Sequence, residues 1–395
     1  MTDLDPAPRS MLARPTTRYR GTDIDGATLA PEEGLGVRGK NLNDLIAELE
    51  FEAALWHIWF ARLPDAGELA AVRARLAEHA ACCEAGSPAV VAARAAGQAG
   101  VDMVFAAATG FMRGVSERGV IDEPGSAGRG SAPESTPIAP PTWDADFDAM
   151  LACVAAAPYL MTAGLGIARA PIEPAASHAH RVLHLAGGDA DSPAARRVVD
   201  ALLVAWHAGF GYVTPTVLVP RVAIGTGLTL SQAVAAGFMS SGPNHVGAAL
   251  EAMRWLIVAA RETESAAARV DATLDEPGGL LFGFGHPLFV ADPRPPHLRA
   301  LCAAWGLGGL HLRMFDVVRD RANARKGLNP NIDFITAAAL LDAGVTEPRW
   351  GVGIGLCARI AAMAAHAIER RRRPAFGVNS ATARKLLAAV PVGWL

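Results

Sequence analysis

The chain has 395 residues, 51% of them hydrophobic and 19% charged, with 36 basic and 39 acidic side chains and a formal net charge of −3. So apolar a composition excludes disorder over most of the chain, and the length suits two domains or one large one with a sizeable core. The balanced charge gives no electrostatic basis for nucleic-acid binding.

In chain order, residues 1–20 read as a loose tail without the apolar stretch of a secretory signal. From Asn41 to Arg62, Leu42, Leu45, Ile46, Leu49, Ala53, Trp56 and Phe60 recur at helical spacing and predict a helix. A second is expected from about Ala66 to Cys83. Residues 122–142 are rich in Gly, Pro and Ser and predict an exposed loop. Ala149–Ala168 carries no charge over twenty residues, which raises a membrane span. Its Ala and Gly content and Pro158 fit a buried core helix better, because insertion favours Leu, Ile, Phe and Val. Ser192-Pro193 has the chemistry of a helix start and leads into a helix over 194–206. Val213–Val222 is the best strand signal, broken by Pro215 and Pro220. Further helices are expected at 229–241, 246–269, 296–305, 332–343 and 354–372. The chain therefore reads as mostly helical, with Gly- and Pro-rich connectors.

The five cysteines (Cys82, Cys83, Cys153, Cys302, Cys357) are odd in number, irregularly spaced and lack a CxxC pair. They predict reduced, mostly buried thiols in a soluble cytoplasmic protein rather than a disulfide framework or a zinc site. His178, His180 and His184 are closely spaced, but their Ala- and Pro-rich segment does not specify a metal site, and none is expected. No P-loop, HExxH or GxSxG occurs, and GFGH is not a dinucleotide fingerprint.

Three loop-like segments stand apart from this background: 240–247 (SSGPNHVG), 282–294 (FGFGHPLFVADPR) and 326–334 (KGLNPNIDF). Each places one titratable side chain, His245, His286 or Asp333, beside glycine or proline at a turn. Singly, such residues are more often caps or satisfied polar groups. Together, two imidazoles and a carboxylate suit proton removal next to a carbonyl, with hydrogen bonds to the enolate oxygen that forms.

In order and spacing these segments resemble the active-site motifs of the citrate synthase family. GPNHVGAALE resembles its first histidine motif (GPLHGGAN), GFGHPLFVADPR its second (GxGHxxxxxDPR), and NPNIDF its aspartate motif (xPNVDF). Arg38-Gly39 to Pro64 and Leu356 to Glu369 are similar to the family's terminal regions, so the resemblance spans roughly residues 18–390 and is weakest over 84–190. It implies an all-α, two-domain fold working as a homodimer, with the active site in the cleft between the domains. Residues 21–245 and 346–395 would form the large domain and 246–345 the small one.

By this resemblance Asp333 is the general base that takes a proton from the α-carbon of an acyl-CoA, acetyl-CoA first among them. His245 stabilises the enolate, and His286 polarises the ketone of a 2-oxo acid such as oxaloacetate. His207 binds the oxo acid, Arg294 and Arg359 hold its carboxylates, and Arg373 reaches across the dimer interface. Coenzyme A enters as a thioester co-substrate, with no bound cofactor, and the reaction is that of the tricarboxylic acid cycle. The sequence also departs from the family pattern. Val246-Gly247-Ala248-Ala249 replaces the glycine-rich stretch after the first histidine, and Gly211 stands where an asparagine is usual. A basic residue is missing from 288–290, where Lys326 is the suggested replacement for contact with CoA. HVGAALE also looks like the citryl-CoA lyase branch, which runs the carbon–carbon step backwards. The synthase reading leads, a lyase or a synthase with another acyl or oxo-acid partner is the alternative, and a non-catalytic family member is the third.

Overall fold

The two longest helices, both largely buried, lie at the centre of the fold, and shorter helices surround them. A computed structural model of the protein describes residues 22–27, 34–114, 145–211, 214–261, 265–286 and 289–371. Strands β1 (Asp25–Ala27), β2 (Leu35–Val37) and β3 (Lys40–Asn41) form a small antiparallel sheet in which Asp25 faces Val37. Helices α1 (Leu42–Glu48), α2 (Phe51–Phe60), α3 (Ala66–Glu84), α4 (Pro88–Gln98) and α5 (Met103–Met112) follow. Next come α6 (Ala145–Gly164), α7 (His178–Ala186), α8 (Pro193–Trp206), α9 (Pro215–Ile224) and α10 (Leu230–Met239). The last group is α11 (Pro243–Val246), α12 (Ala248–Ala259), α13 (Ala266–Asp275), α14 (Arg294–Ala304), α15 (Leu310–Lys326), α16 (Ile332–Asp342) and α17 (Trp350–Arg371). The all-α class expected from the sequence is the class observed.

Helices α6 and α17 bury nearly every residue. A helix that is apolar all round needs neighbours on every side. Accordingly, α6 packs against α3, α4, α5, α7, α10 and α17, and α17 against α2, α8, α9, α10, α12 and α16. Both are long and apolar enough to cross a bilayer, but 89% of the apolar window of each is buried within the protein, so they are core helices. A second cluster forms around α16, which packs against α12, α14 and α15.

Several elements differ from the expectation, each for a local reason. The segment read as a strand at Val213–Val222 is helical from Pro215 onward. Thr214 is the N-cap, and Pro215 at the first helical position loses no intrahelical bond. The buried positions Thr216, Val217, Pro220, Arg221 and Ile224 lie on one helical face against α10 and α17, so packing overrides the β-branched content. The helix expected over Asn41–Arg62 is two, because the backbone is extended at Leu49 and Glu50 and the Phe51 amide donates to Asp200 Oδ1 at 3.0 Å. The helix expected over 246–269 is also two, with Ser265 capping the second. Helices α4, α5, α7 and α15 are not among those expected, α11 forms within the loop-like segment 240–247, and the loop expected at 122–142 lies outside the described residues. Cys83, Cys153, Cys302 and Cys357 are buried free thiols, and Cys82 is partly buried.

Helices α4 and α6 cross where Gly97 meets Gly164, and a Cβ on Gly97 would collide with the Gly164 backbone. Gly97→Ala is therefore expected to destabilise the protein by about 1–3 kcal/mol, the usual range for overpacking. The drop in the thermal or urea midpoint measures this, and an unchanged midpoint would mean that the crossing relaxes freely.

Candidate active site

Two of the three sequence-marked loops are fastened directly to each other. The Gly285 N–H donates to the Asn329 carbonyl and the Asn331 N–H to the Gly283 carbonyl, both at 2.8 Å, around a bridge between Phe284 and Pro330. The Asn331 side chain does two things at once: it caps α16 by accepting from the Asp333 N–H and donates to the Gly285 carbonyl. Gly283 takes φ +80°, and a Cβ there would run into Phe334, so this closure needs glycine.

Asp292 adds the strongest link. One oxygen accepts from the Arg294 N–H and Nε, and the other from Arg294 Nη2 and the Ile332 N–H, at 2.7–3.0 Å. The pair is almost wholly buried. Burial opposes ionisation of Asp292, but the Arg294 charge and these hydrogen bonds outweigh it and hold the carboxyl below its usual range. His286, Arg294 and Asp333 are thus fixed to one framework.

The charge state of each group follows from its surroundings. Asp333 lies at the N-terminus of α16, where burial and the nearby Asp292 charge raise its pKa to about 6 against the pull of Arg294 and Arg359. Burial, then Arg294, lowers His286 to about 4, so its imidazole is neutral at pH 7. The Phe289 N–H donates to His286 Nδ1 at 3.3 Å, which leaves the ring proton on Nε2. His245 sits at the end of α11, its Nε2 3.5 Å from Thr216 Oγ1. Burial, then Arg359, lowers its pKa, so it too is neutral.

Arg359 comes from α17 and packs over the Trp206 ring, 5.6 Å from its centroid, while Trp206 Nε1 donates to Thr336 Oγ1 at 3.0 Å. Burial, then the like charge of Arg294, lowers Arg359 to about 10. Among the described residues it forms no ion pair.

A cleft of about 400 Å³ collects these groups. His245, His286, Asp333, Arg294 and Arg359 all line it, with Trp206, Phe210, Thr216 and Asn331 between them. It therefore holds one base poised near neutrality, two neutral imidazoles and two guanidinium groups, one already neutralised by Asp292. Such a set can remove a weakly acidic C–H proton and steady the oxyanion that results, beside an anchored carboxylate.

Two other expected residues, His207 and Lys326, are not brought here. His207 is fully buried and does not line the cleft, with Nδ1 on the Val204 carbonyl at 2.5 Å and Nε2 without a partner among the described residues. Lys326 is exposed in the last turn of α15, where its charge faces the helix C-terminus, and it does not line the cleft. Arg373 lies outside the described residues. His178, His180 and His184 all fall on α7, where His178 stacks on Phe51 and His184 bonds the Ala170 carbonyl. Among the described residues no three His, Cys, Asp or Glu side chains are grouped to hold a metal ion.

Sequence reasoning missed Asp292, Trp206, Phe210 and Thr216. Asp292 sits inside a quoted motif, where Asp-Pro-Arg before a helix was an available signal. Trp206, Phe210 and Thr216 lie outside the quoted motifs and carried none.

A family model described as "Citrate synthase, C-terminal domain" matches residues 13–376. The fold is similar to citrate synthase from Pyrobaculum aerophilum, with TM-score 0.68 and 20% identity over 89% of this chain and 86% of that one. It is also similar to citrate synthase from Thermotoga maritima, with TM-score 0.63 and 15% identity over 90% of each chain. A third is citrate synthase from Thermoplasma acidophilum, solved in ternary complex with carboxymethyl coenzyme A and oxaloacetate, with TM-score 0.70 and 16% identity over 96% of this chain and 95% of that one. No curated protein matches at a significant level. Two-thirds and more of the sequence is covered by the family model, and the chain belongs to the citrate synthase family.

Proposed function

We propose that the protein catalyses a citrate synthase-type condensation, joining an acyl-CoA, with acetyl-CoA as the first candidate, to a 2-oxo acid, with oxaloacetate as the first candidate, followed by thioester hydrolysis. One observation carries this reading: Asp333, His245, His286 and Arg359, which forms no ion pair among the described residues, share a single cleft. The Thermoplasma acidophilum citrate synthase, solved with carboxymethyl coenzyme A and oxaloacetate, supplies the substrate classes to be tried.

In this mechanism the Asp333 carboxylate takes a proton from the α-carbon of the acyl group. The neutral His245 donates an N–H to the thioester oxygen and stabilises the enolate as it forms, a stronger interaction in the transition state than in the ground state. His286 donates its Nε2 proton toward the ketone oxygen of the oxo acid, and the enolate carbon attacks the ketone carbon. Arg359, and the edge of Arg294 that Asp292 leaves open, hold the carboxylates. Water then hydrolyses the thioester and releases the CoA thiol. The proposal includes a homodimer in which Arg373 completes the partner's site, a cytoplasmic setting and a place in the tricarboxylic acid cycle.

The deciding assay mixes the protein with acetyl-CoA and oxaloacetate, with propionyl-CoA in parallel, and follows free thiol. Release that depends on both substrates is the expected result. No release, together with cleavage of citryl-CoA, would replace the synthase by the lyase, which uses the same groups in reverse. Asp333→Asn should lower kcat by about 10²–10⁴-fold, the range for a positioned acid–base group, and near-normal turnover would remove Asp333 from the mechanism. The base works ionised and its pKa is raised to about 6, so kcat should fall as pH drops through 6 and level off above 7. His286, lowered to about 4, stays neutral across that window.

Closure is also part of the proposal, with residues 246–345 moving as a smaller body against the rest to exclude water before proton transfer. The radius of gyration from small-angle scattering should decrease when oxaloacetate is added. Superimposable profiles would count against closure.

A further inference from the structure

We infer that Asp25, remote in sequence from every motif above, is a positioning residue that sets the oxo-acid end of the cleft by holding Phe210 in place. The inference rests on the reading of the cleft proposed above and adds a residue outside its lining.

Asp25 lies in β1 and is buried. Its Oδ2 accepts from the Gly209 N–H at 2.6 Å, and its Oδ1 from the Gly211 N–H at 2.7 Å. Successive amides aimed at one anion make a cradle of the kind that ordinarily binds phosphate or carboxylate ligands, and here a side chain of the same chain fills it. Burial acts to raise the pKa of Asp25, but the His366 interaction and the two amides outweigh it and keep the carboxyl below its usual range.

The residue between those amides pays with its backbone. Phe210 has φ +62°, a left-handed conformation that bulky side chains rarely adopt, and Gly211 follows at φ +74°. Backbone strain of this kind persists only where the surroundings enforce it. The Asp25 carboxylate is the enforcing contact, helped by Thr214 Oγ1, which donates to the Gly209 carbonyl at 3.0 Å.

The conformation directs the Phe210 ring into the cleft. Its centroid lies 5.5 Å from that of His286 and 5.0 Å from the Arg294 guanidinium carbon. The ring thus forms the wall between the groups proposed to take the ketone and a carboxylate. The same carboxylate is tied to the arginine helix, since His366 Nε2 bonds Asp25 Oδ1 at 3.0 Å and lies two turns after Arg359 on α17. Arg221 anchors that end through the His366 carbonyl and Glu369. One buried anion therefore sets both Phe210 and the register of Arg359.

The test is a double-mutant cycle between Asp25→Asn, which keeps the shape but exchanges one acceptor for a donor, and Phe210→Ala. Asp25→Asn should raise KM for oxaloacetate at least tenfold while KM for acetyl-CoA changes less than twofold. In the Phe210→Ala background the same substitution should change the oxaloacetate KM less than threefold. Equal rises in both KM values, or the same rise in both backgrounds, would reduce Asp25 to a general structural residue and overturn the inference. If Asp25→Asn does not fold, Phe210→Ala alone must raise the oxaloacetate KM selectively, and an unchanged KM would overturn it. Amide hydrogen exchange separates this failure from failure of the functional reading. A wild type that neither releases thiol nor is stabilised by oxaloacetate refutes the proposed function. Gly209 and Gly211 amides that exchange no faster in Asp25→Asn than in the wild type refute the clasp.

Discussion

The candidate site depends first on one buried ion pair. Asp292 uses both oxygens to hold the Arg294 side chain, the first turn of α14 and the first turn of α16. A pair this deeply buried gains little net stability over an apolar substitute, because desolvation offsets most of the attraction. Its effect is geometric. It binds the loop carrying His286 to the helix carrying Asp333, and it leaves Arg294 only part of its hydrogen-bonding edge for a ligand.

Around that pair the two histidines and the aspartate are tuned by exclusion from water. Burial disfavours charge on all of them, so the carboxyl titrates upward and the imidazoles downward. The result is a base that still ionises at neutral pH beside two donors that carry no charge. The same surroundings that make Asp333 a better proton acceptor make its ionised form less comfortable in the fold, as expected where function and stability compete.

Much of this was legible in the sequence, and the limits have physical causes. His245, His286 and Asp333 stand out because glycine and proline mark the turns that hold them. Arg294 and Arg359 are visible through the same motifs. Asp292 was in view, but its function depends on Ile332, forty residues away, and a linear reading does not show such contacts. Phe210 depends on a carboxylate 185 positions earlier in the chain, between its two bonded amides. His207 shares the WHAGFG segment with Phe210, yet the turn there points the phenylalanine into the cleft and the histidine into the core. The error at α9 has the same origin: β-branched residues suggested a strand, and contact with α10 and α17 made a helix.

That Arg359 forms no ion pair among the described residues has a practical consequence. Arg359 lines the cleft as a buried cation, so a small anion that pairs with it there binds the folded state and not the unfolded one. By mass action a ligand at a hundred times its Kd adds about 2.7 kcal/mol to the folded state. The melting temperature of this protein is thus a property of the buffer as much as of the chain, and carboxylate buffers such as citrate or acetate will mask differences that chloride-only solutions reveal.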